Sequence, residues 1–384
     1  MRRVLELVRT IEREPARSIE ALTAFVSENR FPVLDGDNAT FFYWNRERPA
    51  DAVYLRHWVF GLESRQPLRR IEGTDAWYLP LDLPGKARVE YKFEVVRHNH
   101  AEWMRDPLNP LEAHDPFGSN SVCTMPGYVV PSFVHEQAVV RRGTVETVAV
   151  PSAVFGDTRQ IRVYLPAEYK VSKRYPLLIC HDGNDYLRFA AMRPILDNLI
   201  HHHEVAPLVV AFTSGVDRNR EYGANDRQVT FLVDELLPFL RRTYAVRDSH
   251  EATGLMGASF GGVSSLYTAW KRPGVFNRLF LQSGSFVFTD VGAHDRGPLF
   301  DPVVSFVNAF REDPGRIDAR VFMSCGIFES LIYYNRSLVT LLRDSGIDVR
   351  FVESQDGHNW IGWRDRLRDG LTWLFPGHLW FVYE

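Results

Sequence analysis

The chain has 384 residues, more than one core usually supports, so two domains are expected. Its 45% hydrophobic and 13% aromatic residues are ample for packed interiors and exclude extended disorder. A net charge of −3 gives no electrostatic case for nucleic acid or an anionic membrane surface, and three scattered cysteines exclude a disulfide framework or a thiolate metal site.

The first residues, MRRVLELVRTIEREPARSIEALTAF, scatter charges through the stretch and contain no continuous apolar run. No later run is long enough to span a bilayer, so a cytoplasmic protein without a membrane or nucleic-acid partner is expected. Val4, Leu7, Val8 and Ile11, then Ile19, Leu22 and Phe25, follow helical spacing with a break at Pro15. Two short amphipathic helices are therefore predicted within a segment 1–30.

From 31 to 131 the character changes to short aromatic and β-branched runs (ATFFYW, DAVYLRHWVF, AWYLPLDL, VEYKFEVVR) separated by turn material. That spacing predicts a small β-sandwich. Its last stretch, Asp106 to Tyr128, is rich in proline and turn residues and reads as an irregular extended edge. Residues 132–146 form a linker. In 147–384 apolar strand candidates such as YPLLICHDG, LVVAFTSG, ATGLMGAS and ARVFMSCG alternate with helical patterns. Buried strands alternating with helices predict an α/β domain with a mostly parallel central sheet.

In such a sheet, functional groups gather beyond the carboxyl ends of the strands. Gly257-Ala258-Ser259-Phe260-Gly261 is a G-x-S-x-G between a strand and a helix, the setting of a serine held on a sharp turn. A serine hydroxyl needs a base, and His358 lies in a glycine-containing loop after the last strand. Glu329 follows an earlier strand and can orient that imidazole; Asp356 and Asp348 compete for the role. Ser259, Glu329 and His358 occur in the chain order of an α/β-hydrolase triad. An oxyanion would be met by the N–H of Phe260 and by an N–H from the His181-Asp182-Gly183-Asn184 turn, at Asn184 or Gly183. His201, His202 and His203 read as an exposed helix end, so neither a metal nor a cofactor is expected.

R-Q-I-R-V-Y-L-P-A-E-Y, H-D-G-N-D-Y, D-R-N-R-E-Y, G-A-S-F-G-G-V-S-S-L-Y, G-I-F-E-S and D-G-H-N-W-I-G-W-R run through the second half of the chain. Together they resemble the esterase D group of α/β-hydrolases, and within it the enterochelin (ferric enterobactin) esterases. The resemblance reaches the front of the chain, where E-Y-K-F-E-V and D-P-L-N-P look like an early-set β-sandwich. It implies hydrolysis of the ester bonds of a small-molecule substrate, a ferric catecholate siderophore. For such a bulky anionic substrate, Arg218, Arg220, Trp360, Trp363 and Arg364 are the candidate binding residues. The arginines equally suit structural ion pairs with Asp217 or Glu221. Related sandwiches bind glycogen, so Trp44, Trp58 and Trp77 are either a sugar platform beside a feruloyl or acetyl esterase, or core. A non-catalytic binding protein on the same scaffold is the third reading.

Overall fold

A computed structural model describes residues 1–290 and 293–377, so 291–292 and 378–384 of the expected 147–384 region lie outside the described residues. The chain forms two compact units. One comprises Met1–Val129 with two later segments, Ile327–Ser330 and Gln355–Asn359; the other comprises Val130–Gly326, Leu331–Ser354 and the residues from Trp360 onward.

Two antiparallel sheets make up most of the first unit. One runs Val33–Asp35, Asn38–Trp44, Ala76–Asp82, Arg69–Arg70. The other runs Arg65–Pro67, Ala52–His57, Arg88–Arg97, Gly118–Thr124, Glu112–Asp115, with His100–Met104 also paired to Arg88–Arg97. Side chains alternate across a strand, and the Asn38–Trp44 strand uses both faces. Phe41 and Tyr43 join Val53, Leu55, Tyr91 and Phe93 in a core drawn from both sheets. Phe42, between them, joins Val4, Leu7, Leu22 and Phe25 of the helices Arg2–Arg13 and Ser18–Glu28. Burial on both faces explains why this run is continuously apolar. Trp77 lies in the core between the sheets and Trp44 packs on the helix-covered side, whereas Trp58 is exposed.

The Asp106–Tyr128 stretch differs from the irregular edge its composition predicts. It holds two paired strands, Glu112–Asp115 and Gly118–Thr124. Pro107, Pro110 and Pro116 all fall outside the ladder, where a missing N–H does no harm. Asp106 is buried and accepts from the Tyr91 hydroxyl at 2.6 Å and the Leu108 N–H at 2.8 Å, which stabilises the proline-rich turn.

The second unit is a mixed α/β fold on one eight-stranded sheet, in the order Thr144–Ser152, Asp157–Leu165, Val209–Phe212, Leu177–Cys180, Thr253–Ala258, Arg278–Gln282, Arg320–Gly326, Asp348–Ser354. The first two strands pair antiparallel; from Val209–Phe212 onward every pair is parallel. Leu177 and Ile179 enter one apolar cluster, and Leu178 and Cys180 enter another on the opposite face. The strand is therefore covered on both sides, as its unbroken apolar sequence requires. Leu177–Cys180 leads outward to Val209–Phe212, while its neighbour Thr253–Ala258 leads the other way to Arg278–Gln282. The order in which successive strands are added reverses between these two parallel strands, and the crevice beyond their carboxyl ends is where such sheets bind ligands.

Candidate active site

Ser259 stands at that reversal. It links the strand Thr253–Ala258 to the helix Phe260–Lys271 with φ +56° and ψ −120°, a conformation costly for a residue with a Cβ. Residues after the neighbouring strands also have positive φ, Asp182 (+52°) and Ser283 (+46°). Glycines make the Ser259 turn possible. A Cβ on Gly257 would lie 2.5 Å from the Gly261 carbonyl carbon, and one on Gly261 would lie 3.1 Å from His181 Cβ. Gly257→Ala is accordingly expected to destabilise the fold by about 3 kcal/mol or more, because the clash is with backbone that cannot rotate away. Urea unfolding monitored by fluorescence measures this, and a loss below about 1 kcal/mol would mean that the turn relaxes freely.

The Ser259 N–H donates to the Gln282 carbonyl at 2.9 Å, while its own carbonyl accepts from Gly262 and Val263 of the helix. The hydroxyl lies 3.1 Å from that of Ser285, whose N–H also donates to the Ser259 carbonyl. Sequence reasoning did not single out Ser285. Its signal was the second serine of L-Q-S-G-S-F, just past the Arg278–Gln282 strand.

The turn after Leu177–Cys180 opens a short helix, Gly183–Phe189. Gly183 is packed so tightly that a Cβ would lie 2.2 Å from Phe212 Cβ, and its N–H donates to the Thr213 carbonyl at 2.7 Å. Gly183 is therefore corrected as an oxyanion donor, because its hydrogen is already committed to the Thr213 carbonyl just past the strand Val209–Phe212. The Asp185 and Tyr186 N–H groups return to the Asp182 carbonyl, which leaves Asn184 as the first-turn donor of this loop. Phe260 is the first residue of the helix after Ser259, at the end of the adjacent strand.

His181 is fully buried behind this turn. Nδ1 lies 2.9 Å from the Met256 carbonyl, which can only accept, so the proton sits on Nδ1 and Nε2 accepts from the Ser264 hydroxyl at 3.1 Å. Burial lowers its pKa from 6.5 to about 4. An imidazole depressed on folding contributes stability that is present above pH 6.5 and lost as pH falls toward 4. Wild type is expected to lose about 2–3 kcal/mol between pH 7 and pH 4.5 through this group. His181→Asn should lack that part of the slope in urea titrations at both pH values, and an unchanged slope would exclude His181 as its source.

Glu329 and His358 come together. Glu329 follows the strand Arg320–Gly326 and is buried; His358 follows Asp348–Ser354 and is about one-third exposed. His358 Nδ1 lies 2.7 Å from Glu329 Oε2, so the ring donates to the carboxylate and Nε2 is the nitrogen able to take a proton. The competing acids are otherwise engaged. Asp356 accepts from the Gly357 N–H at 2.7 Å and the Asn359 amide at 2.6 Å beside Arg88. Asp348 begins its strand, at the end away from the loop, and pairs with Arg320.

The five residues assigned to substrate binding have diverse environments. Arg218 forms a bidentate pair with the buried Asp182 at 2.6 and 2.7 Å, a partner 36 residues earlier in the chain. Arg220 is largely exposed and lies 3.4 Å from Asp217. Trp360 and Trp363 are buried in the cluster beneath the sheet. Trp360 packs edge-on against Tyr186, and Trp363 donates its indole N–H to Ser283 at 2.9 Å. Arg364 pairs with Asp365. Among the described residues no group of His, Cys, Asp and Glu is arranged to hold a metal, and no helix is long and apolar enough to cross a membrane.

With this arrangement in place, the sequence matches the Esterase family model over residues 152–374. It is 24% identical over 371 residues to the iron(III) enterobactin esterase of Escherichia coli O6:H1, covering 87% of this chain and 90% of that protein. It is 26% identical over 351 residues to the iron(III) enterobactin esterase of Dickeya dadantii, covering 81% and 80%. The crystal structure of the Shigella flexneri enterobactin esterase in the presence of enterobactin superposes with a TM-score of 0.72 at 22% identity, covering 88% of this chain and 92% of that one.

Proposed function

The chain belongs to the Esterase family and is a hydrolase acting on esters, and from that premise we propose that it is a serine esterase of the α/β-hydrolase type. The observation that carries this reading is the strained backbone of Ser259, held between strand and helix at the reversal of the sheet. Strain of this kind persists only where the surroundings enforce it, and here two close-packed glycines do so.

In the mechanism we infer, Ser259 Oγ attacks the ester carbonyl as His358 Nε2 takes its proton. Glu329 fixes the ring through Nδ1–H and stabilises the imidazolium that forms. The N–H groups of Phe260 and Asn184 accommodate the oxyanion, each contributing roughly 3–4 kcal/mol to the barrier reduction. Collapse expels the alcohol, which takes the proton from His358. Water activated by the same imidazole then releases the acid.

The substrate we assign is the ferric complex of enterobactin or a close catecholate siderophore, whose serine ester bonds would be opened to free the iron. Support comes from relatives bearing that activity that align over most of both chains. The first unit reads as an early-set β-sandwich, given two antiparallel sheets sharing one core. Trp58 alone of the three tryptophans is exposed, and burial of Trp77 and the packing of Trp44 against the helices argue against a three-tryptophan sugar platform there. Mass spectrometry of the full chain incubated with ferric enterobactin, a feruloyl sugar and p-nitrophenyl acetate tests the assignment. Stepwise hydrolysis of enterobactin to its catecholoyl-serine unit is the expected result. Cleavage of the feruloyl sugar with no siderophore product would transfer the activity to the glycan-linked class.

A further inference from the structure

The base and acid loops are secured by residues of the first unit, and one buried side chain stands at the centre. Arg88 opens the strand Arg88–Arg97, and its main-chain N–H donates to the Gln355 carbonyl at 2.9 Å. Its guanidinium donates through Nη1 to the Asn359 side-chain oxygen at 3.1 Å and lies 3.5 Å from both Asp356 carboxylate oxygens. Nη2 donates to Glu90 at 2.9 Å. Asp356 accepts from the Gly357 N–H and the Asn359 amide, so the residues flanking His358 are fastened either to this guanidinium or to the carboxylate beside it. The acid loop is tied to the same place. The Phe328 N–H donates to the Asp356 carbonyl at 3.2 Å, the Phe328 carbonyl accepts from the Phe60 N–H at 2.7 Å, and its ring enters the core between the sheets.

We propose that Arg88 is a positioning residue for the base–acid pair, holding the backbone on both sides of His358 so that its Nδ1 meets Glu329. This rests on the reading of Ser259, His358 and Glu329 as the catalytic set. A buried guanidinium between two carboxylates is seldom the most stabilising filling for an interior; an apolar group of like volume is often as good or better. Fixing geometry is a function that an apolar group lacks. Burial pushes the Asp356 carboxyl up to about 6, and the facing Arg88 pulls against that shift and favours the ionised form. A lysine would supply the charge without the planar fork that reaches several acceptors at once.

Arg88→Met would strand Glu90 and Asp356 and confuse loss of fold with loss of positioning, so Arg88→Lys and Asp356→Asn are the variants to test. Each should unfold cooperatively and show kcat on p-nitrophenyl acetate lowered by roughly tenfold to a hundredfold, with KM within about twofold, since a misplaced catalytic group slows chemistry more than binding. Introduced into a Glu329→Gln background, each should cost less than about twofold, because the effect passes through the pair already broken. Equal losses in both backgrounds, or wild-type turnover in Arg88→Lys, would overturn the proposal. His358→Ala separates the two levels. Undiminished turnover there would overturn the catalytic reading and this proposal with it, whereas an inactive His358→Ala beside a fully active Arg88→Lys would overturn the proposal alone.

Discussion

Ser259→Ala is expected to reduce ester hydrolysis by roughly 10⁶-fold, the scale seen when a serine nucleophile is removed from a comparable catalytic set. The size follows from what the hydroxyl does. It forms the covalent bond that splits hydrolysis into two easier steps, and no neighbour can take its place. Ser285 has its hydroxyl 3.1 Å away but stands past a different strand end, so it does not occupy the position of the Ser259 hydroxyl. The oxyanion donors remain in the variant, so a residual rate above water of about 10³-fold is consistent with the mechanism. Folding should be little affected, because alanine also has a Cβ and no new clash arises at φ +56°. A fluorophosphonate probe should label wild type on the peptide bearing Ser259 and leave Ser259→Ala unmodified. Labelling that survives the substitution would place the nucleophile elsewhere.

Glu329→Gln carries the second-largest expected effect, a fall in kcat of roughly 10³- to 10⁴-fold with KM nearly unchanged. The side chain is nearly isosteric and buried, so packing is conserved. What changes is the group 2.7 Å from Nδ1. An amide can present N–H to the ring, which forces the proton onto Nε2 and blocks the nitrogen that must accept from Ser259. Even with the oxygen facing the ring, the imidazolium loses the counter-charge of the buried carboxylate beside Nδ1. Steady-state kinetics on p-nitrophenyl acetate measure the effect. A loss below tenfold would assign the orienting role to another acid, since removal of a working triad carboxylate costs about 10⁴-fold.

Much of the second unit was legible because its signals are local. Continuous apolar runs marked the buried strands, each stopping at a polar turn, and the sheet places those turns where the alternating pattern required. The juxtaposition of Glu329 and His358 could be read from chain order, since both follow neighbouring parallel strands. Other features depend on pairings far apart in sequence. Nothing near Arg218 announces Asp182 as its partner, because the two meet only where strand ends converge. Trp360 and Trp363 looked like site aromatics from their proximity to His358, but the short helix Trp360–Asp365 carries them into the apolar cluster. Gly183 looked available, but the turn after Val209–Phe212 brings the Thr213 carbonyl to its N–H. The Arg88–Asp356 contact spans 268 residues and has no periodic signature at all.

The first compact unit is not a single stretch of chain, because Ile327–Ser330 and Gln355–Asn359 belong to it as fully as Met1–Val129 does. No single cut between residues separates the two units. A recombination that exchanged the front of the gene for another module would leave Gln355 and Phe328 without the main-chain groups of Arg88 and Phe60 that they bond to. Inheritance of the front half is thereby coupled to two loops encoded hundreds of residues downstream. Substitutions at Arg88 should then be tolerated only together with changes at Asp356 and Asn359, and the front half of this lineage should be harder to exchange than a tethered accessory domain.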